Sequence, residues 1–224
     1  MKRAAKPSAA LSEPQKAALI SLLGDDDESI YDTIRSKLIS YGSEVSDWLR
    51  PHLLSSDPVL RRHAQEIVDH FARQNADTEF LSFCLRQGED FDIEQGLWLL
   101  TKTHYPNANT AAYSALLDSY AVDLRGKLYP KSSAETILAT INEFLFDDLG
   151  LKGNEENYYD PENSYLNRVL DRRTGNPISL SLIYMLIGRR LKLPVAGIGL
   201  PGHFVCRFQS STDEFYIDAF NRGK

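Results

Sequence analysis

Thr174-Gly175-Asn176-Pro177-Ile178-Ser179-Leu180-Ser181-Leu182-Ile183-Tyr184-Met185-Leu186-Ile187-Gly188-Arg189-Arg190-Leu191 is the stretch on which the fold turns. Asn176 suits an N-cap, because its side-chain oxygen can accept from an otherwise orphan backbone N–H. Pro177 suits the first helical position, where a missing N–H has no intrahelical partner to lose. Ile178, Leu182, Ile183, Leu186, Ile187 and Leu191 recur at three- and four-residue steps, and Leu180, Tyr184 and Met185 widen the stripe. That pattern predicts a sharply started helix buried on most of its circumference. Charge enters only at Arg189 and Arg190, where cations complement the negative end of the helix dipole.

Beyond this helix the period changes. Residues 195–200 are β-compatible, Pro201-Gly202 reads as a turn, and 203–208 and 215–218 read as strands joined by the polar 209–214 as a hairpin. A helix packed on a small antiparallel sheet is a piece of an α+β layer. His203 opens one strand and Asp218 closes the next, 15 residues later. In an odd-sum register, with Val205 opposite Asp218 for example, both side chains share a face and lie about 4.5–8 Å apart. The face carrying His203 and Val205 is expected to point at the helix. An imidazole held by a carboxylate at a helix N-terminus is how a nucleophile is activated: the Asp fixes the tautomer and the His takes the proton. Free N–H groups at the helix tip also favour a thiolate or an oxyanion. A plainer reading stands beside this one, with His203 a turn residue and Asp218 a strand-end acceptor.

Upstream the pattern is helical. Ser12-Glu13-Pro14-Gln15 forms a cap and first turn for a helix through Leu23, after a polar lead expected to fray. Ile30, Ile34 and Leu38 are matched 30 residues later by Leu60, Ala64 and Val68, and 33 further on by Ile93, Leu97 and Leu100. Each copy has an acidic start, at Asp27, Asp57 and Asp90. Second helices are expected over 45–54 and 78–85. Paired amphipathic helices at such a period fit stacked HEAT-like units, and a generic helical bundle fits them as well. Trp48 and Trp98 read as core anchors. His63 and His70 lie two turns apart, too far to share a metal, and read as exposed or partly buried. Helices are expected over 109–124 and 132–147, the second with Ser132 and Glu135 at capping-box spacing. The polar, turn-rich 150–160 reads as a boundary, followed by a short helix over 164–172 with Leu166, Val169 and Leu170 inward. The division expected is a helical region 13–150 and an α+β core 151–224.

Composition narrows the function. A 224-residue chain holds one large or two small domains, and its net charge of −6 argues against nucleic acid as the main partner. No apolar run reaches the ~18 residues of a membrane span, and the basic Met1 to Lys6 leads into no apolar signal core. Cys84 and Cys206, 122 residues apart in apolar surroundings, read as buried reduced thiols of a cytoplasmic protein, without metal-ligand spacing. No metal or cofactor is expected.

The segments Asn163-Ser164-Tyr165-Leu166-Asn167-Arg168-Val169-Leu170, Arg173 to Ser181, Leu200-Pro201-Gly202-His203-Phe204 and Ile217-Asp218-Ala219-Phe220-Asn221 resemble one branch of the transglutaminase-like superfamily. It is the branch of bacterial Sir B-type proteins, also present inside F-box-only proteins of animals, and it often follows a helical region. The resemblance covers roughly 150–224 and implies a papain-like core, a central helix carrying a nucleophile at its tip against a sheet carrying His and Asp. Active members open that helix with a Cys. Here the place falls at Pro177 to Ser179, and Cys206 has the opposite strand parity from His203. Ser179 is the nearest hydroxyl, ahead of Ser181. A serine needs full general-base help, and one in a first helical turn commonly bonds its own backbone. Two functions therefore stand. The first is a non-catalytic binding, scaffold or regulatory module, a pseudoenzyme that takes a protein partner or peptide-like ligand. The second is an acyl-transfer or amide-hydrolysing enzyme using Ser179, His203 and Asp218. Asn163, Asn167 and Asn176 are candidate ligand or oxyanion donors, with capping as the competing role. The resemblance also implies a sheet that runs on past Lys224, so a shortened core is expected, its last strand an exposed edge through which two copies would pair.

Overall fold

The computed structural model describes residues 11–86, 88, 92–129 and 132–224. They divide into two compact units: residues up to 82 with 102–107, and 83–101 with 108–224.

The first unit holds α1 (Glu13–Leu23), α2 (Glu28–Tyr41), α3 (Val45–Leu49) with a 3-10 turn Arg50–Leu54, and most of α4 (Pro58–Arg86). Local chemistry sets the starts. Ser12 caps α1 as expected, and Gln15 closes a capping box with it. Asp27 Oδ1 accepts from the N–H groups of Ser29 and Ile30, and Asp57 Oδ1 from those of Val59 and Leu60. Leu23, Ile34, Leu38, Val45, Leu49, Ala64, Ile67 and Phe71 make the core. His63 is buried within this unit rather than exposed: its Nδ1 lies 2.7 Å from Leu23 O and its ring stacks on Tyr31. The expected second helix over 78–85 is no separate element, because nothing from Val59 to Arg86 is Gly or Pro and α4 runs unbroken for 29 residues. In the third copy Asp90 lies outside the described residues. Ile93 and Leu97, on α5 (Ile93–His104), belong to the second unit and pack against its core, whereas the first two copies lie in the first.

The second unit is built around the helix read first. In order come α6 (Thr110–Lys127), α7 (Ala134–Asn142) continued by a π-helical turn (Glu143–Asp148), β1 (Lys152–Gly153), a 3-10 turn (Pro161–Ser164), α8 (Leu166–Arg172), β2 (Thr174–Gly175) and α9 (Pro177–Arg190). The cap of α7 is Ser133, whose Oγ accepts from Thr136 N–H, one residue on from the expected Ser132. Leu180, Ile183, Tyr184, Leu186 and Ile187 of α9 are buried with Leu117, Leu124, Ile141, Phe144 and Leu145 in one cluster. Helices α6 and α7, before residue 150, thus share a core with α9, and the compact units do not part at 150/151. Nor is 150–160 a linker: Leu151 is buried, β1 pairs in parallel with β2, and Asn154 N–H donates to Gly175 O. Gly175 has to lack a side chain, since a Cβ there would stand 2.6 Å from Ser179 Oγ and 2.9 Å from Val169 Cγ1.

A three-stranded antiparallel sheet follows, β3 (Val195–Leu200), β4 (His203–Gln209) and β5 (Glu214–Ile217), with β4 central. Pro201 and Gly202, at φ 72°, close the first turn. The β4–β5 register pairs Cys206 with Ile217, which puts Val205 opposite Asp218 one step further, as the odd-sum reading expects. The face is the reverse of the expected one. Cys206, Phe208 and Ile217 join the core of α9, whereas Val205 lies outside that cluster. Phe204, Cys206 and Phe208 are the larger apolar set of this strand, and His203, Arg207 and Gln209 share the other parity, so burial selects the first.

Candidate functional site at the tip of the central helix

Asn176, Pro177 and Ser179 start α9 as a closed capping box. Asn176 Oδ1 accepts from Ser179 N–H at 2.8 Å, and Ser179 Oγ accepts from Asn176 N–H at 3.0 Å. Ser179 is 2% exposed, and its O–H donates to Asn176 O at 3.2 Å. The side chain that looks out from the first turn is Ile178, 53% exposed.

Across from this tip, His203 Nε2 and Asp218 Oδ2 are 2.8 Å apart. Asp218 is itself fixed: Asn221 Nδ2 donates to Oδ2 at 2.8 Å, and the N–H groups of Phe220 and Asn221 donate to Oδ1 at 3.1 and 3.2 Å. Burial alone would raise this carboxyl, but the hydrogen bonds from Asn221 and His203 outweigh it and hold the group below the usual carboxylate range. An ionised carboxylate only accepts, so Nε2 donates this bond, and in the neutral ring Nδ1 is then the acceptor. Phe220 meets the imidazole edge-on at 6.3 Å and Tyr158 meets Phe220 at 5.8 Å, fixing the ring plane.

Between the helix tip and His203 opens a cavity of about 410 Å³, lined by Tyr158, Tyr159, Asp160, Asn176, Pro177, Ile178, Leu200, His203 and Phe204 among others. His203 and Asn176 are brought together on it; Ser179, Asn163 and Asn167 are not among its lining. The sequence reading missed its rim. Tyr158 and Tyr159 are two adjacent aromatics in a polar loop, the second 91% exposed, and that contrast was the available signal. Cys206 sits on the opposite parity, fully buried, its Sγ 3.4 Å from Ser181 O. Burial pushes its thiol up to about 12, so it stays protonated at neutral pH. Among the described residues no cluster of three or more His, Cys, Asp or Glu could hold a metal ion, and no helix is long and apolar enough to cross a membrane.

Asn163 is a staple of the cavity wall. It is fully buried, accepts from Asn154 Nδ2 at 2.9 Å and donates to the carbonyls of Asn157 and Tyr158 at 2.9 and 3.2 Å. Asn167 is buried too, with Oδ1 lacking a partner among the described residues. Replacing Asn163 by Ala strands three groups at once. The expected cost is about 2 kcal/mol, with amide exchange over 154–160 accelerating more than over α9, read by hydrogen–deuterium exchange.

A helix tip facing a hydrogen-bonded His–Asp pair on an antiparallel sheet is the arrangement of the transglutaminase-like class. The sequence pattern of the transglutaminase-like superfamily matches residues 111–224, half of the chain, and the chain belongs to that superfamily. Over 126 residues it is 40% identical to a UPF0162 protein of Xylella fastidiosa, covering 56% of this chain and 45% of that protein. A UPF0162 protein of Pseudomonas aeruginosa is 31% identical over 131 residues, 55% of this chain and 45% of that one. F-box only protein 21 of Mus musculus is 43% identical over 96 residues, 39% of this chain and 15% of that protein. The chain thus spans about half the length of the UPF0162 relatives it matches. No solved structure matches it.

Proposed function

We propose that this chain is a non-catalytic member of its superfamily, a module that grips a peptide-like ligand in the cavity between α9 and His203. One observation carries the reading: the helix tip offers the cavity an aliphatic side chain, Ile178, where attack would require a nucleophile. Ser179 has both its donor and acceptor engaged in the capping box, and Ser164, the serine that does line the cavity, accepts from Asn176 Nδ2 at 3.1 Å from the 3-10 turn rather than from the helix tip. The remaining thiol nearby, Cys206, is buried and protonated. Without a nucleophile the His–Asp pair keeps a use, because Nδ1 can accept from a ligand N–H while Tyr158 and Tyr159 cover its apolar parts. The second reading, acyl transfer or amide hydrolysis through Ser179, His203 and Asp218, is favoured by the 2.8 Å His203–Asp218 bond.

A panel of acyl esters and peptide amides separates the two. Wild type, His203→Ala and Ser179→Ala are expected to give the same background rate. Turnover by wild type that either substitution abolishes, with the variant still folded by circular dichroism, overturns the binding-module reading.

A further inference from the structure

We propose that the free edge of β3 is a docking seam for an extended, acidic peptide segment of a partner protein, which adds to the sheet as a fourth strand. This goes beyond the cavity reading and does not rest on it. Among the described residues β3 pairs only with β4. Gln209 N–H donates to Pro194 O, and the alternation of antiparallel bonds from that pair places 196, 198 and 200 in bonding contact with β4. The N–H and C=O groups of Gly197 and Gly199 therefore point away from the sheet, toward the free edge.

Within the strand itself the edge carries neither a charge nor a proline to block pairing. Val195-Ala196-Gly197-Ile198-Gly199-Leu200, six residues, makes a full-length edge. The other edge, β5, is four residues long and opens on Glu214. Glycine weakens a strand, so each one calls for a cause. At Gly197 the cause is internal, since a Cβ would stand 2.5 Å from the Phe204 ring. At Gly199 a Cβ would meet nothing within 4 Å and φ is not left-handed. No neighbour among the described residues requires that glycine, and its missing side chain leaves room for an approaching backbone.

Charge names the occupant. A groove of about 540 Å³ runs along the first half of this edge, lined by Met185 and Val195 from the helix-facing side and by Ala196 and Arg207 from the other. It therefore straddles the edge. Its lining includes Arg189, Lys192 and Arg207 and no carboxylate. Arg189 reaches out to Asp92, and Arg207 is held only at 3.7 Å from Glu214. Three cations in a chain of net charge −6 are complementary to an acidic side chain on the added strand.

The test is selection of a phage-displayed random decapeptide library on the full chain, repeated on Gly199→Pro, which removes an outward N–H, and on Ala196→Glu, which puts a carboxylate among the cations. Both positions are exposed, and circular dichroism checks each fold; Lys192→Glu replaces either variant that fails. Enriched peptides are expected to carry Asp or Glu among β-branched residues, and to bind either variant about tenfold more weakly, the loss of roughly one hydrogen bond. At saturation the Gly197 and Gly199 amides are expected to exchange at least about tenfold more slowly. The proposal is overturned if no peptide is enriched, if the enriched peptides bind the variants equally, or if those two amides stay unprotected. Protection that grows with protein concentration alone also overturns it, by assigning the edge to a second copy of the chain.

Discussion

Ile178→Cys is expected to gain a thiol that alkylates about tenfold faster at pH 6 than an unperturbed cysteine. Ile178 stands in the first turn of α9, half exposed, on the same cavity as His203. A thiol there lies at the positive end of a 14-residue helix and beside an imidazole whose other nitrogen is held by Asp218. Both favour the thiolate. An ordinary thiol is under about 1% ionised at pH 6, and one lowered by roughly two units is about a quarter ionised. Lower basicity takes back part of that gain, which leaves about tenfold. The measurement is iodoacetamide labelling followed by mass spectrometry, with Cys206 as an internal silent site. Adding His203→Ala is expected to remove most of the acceleration. A thiol at 178 that behaves like free cysteine, with or without His203, shows that the His–Asp pair does not address the helix tip, and the cavity reading then loses its basis.

The legible parts of this molecule were those written in neighbouring residues. Asn176-Pro177 announced the start of α9 because capping is a three-residue affair, and the polar 209–214 between two apolar runs announced the β4–β5 hairpin. An odd-sum register was one option for that hairpin, and the one that forms brings His203 to Asp218. What stayed hidden depended on distant partners. The core that joins Leu117, Ile141 and Leu151 to α9 leaves no local mark, so a polar stretch at 150–160 looked like a boundary although its backbone is bonded to β2. Asn163 looked like a ligand donor, yet it is spent on Asn154, Asn157 and Tyr158, partners that only the fold of the loop supplies. The sheet face is legible in the alternation Phe204, Cys206, Phe208, which marks the buried side and leaves His203 on the other. A side chain at the end of a strand can line a cavity at the helix tip without sharing the face packed on the helix.

Arg190→Met is expected to cost about 3 kcal/mol at neutral pH, the largest single loss of stability among surface-adjacent residues of the second unit. Arg190 staples three helices: its two terminal nitrogens each donate to Glu94 of α5 at 2.8 Å, and Nε donates to Asp118 of α6 at 2.6 Å. The two main partners are 14% and 16% exposed, so removing the cation leaves a carboxylate largely out of water, and breaking such a pair is far costlier than never having built it. Burial alone would raise Glu94; the hydrogen bonds from Arg190 and Ser114 and the charge of Arg190 outweigh it and hold the carboxyl below the usual glutamate range. The sign follows. A carboxyl depressed in the folded state adds stability above its unfolded pKa and loses it as pH falls through the folded one. Wild type therefore loses this contribution in acid, whereas Arg190→Met has already lost it, and the gap between them is expected to narrow as pH falls through the carboxylate range. Urea melts of both proteins at several pH values, followed by Trp98 in a Trp48→Phe background, measure that gap. Trp98 suits the purpose because its Nε1 donates to Glu94 Oε1. Adding Glu94→Gln to Arg190→Met should recover part of the loss at neutral pH, since the amide keeps an acceptor for Ser114 and Trp98 without a charge to strand. A gap that is constant with pH, or a double variant weaker than the single by the full cost of a second substitution, would show that Arg190 acts through packing alone.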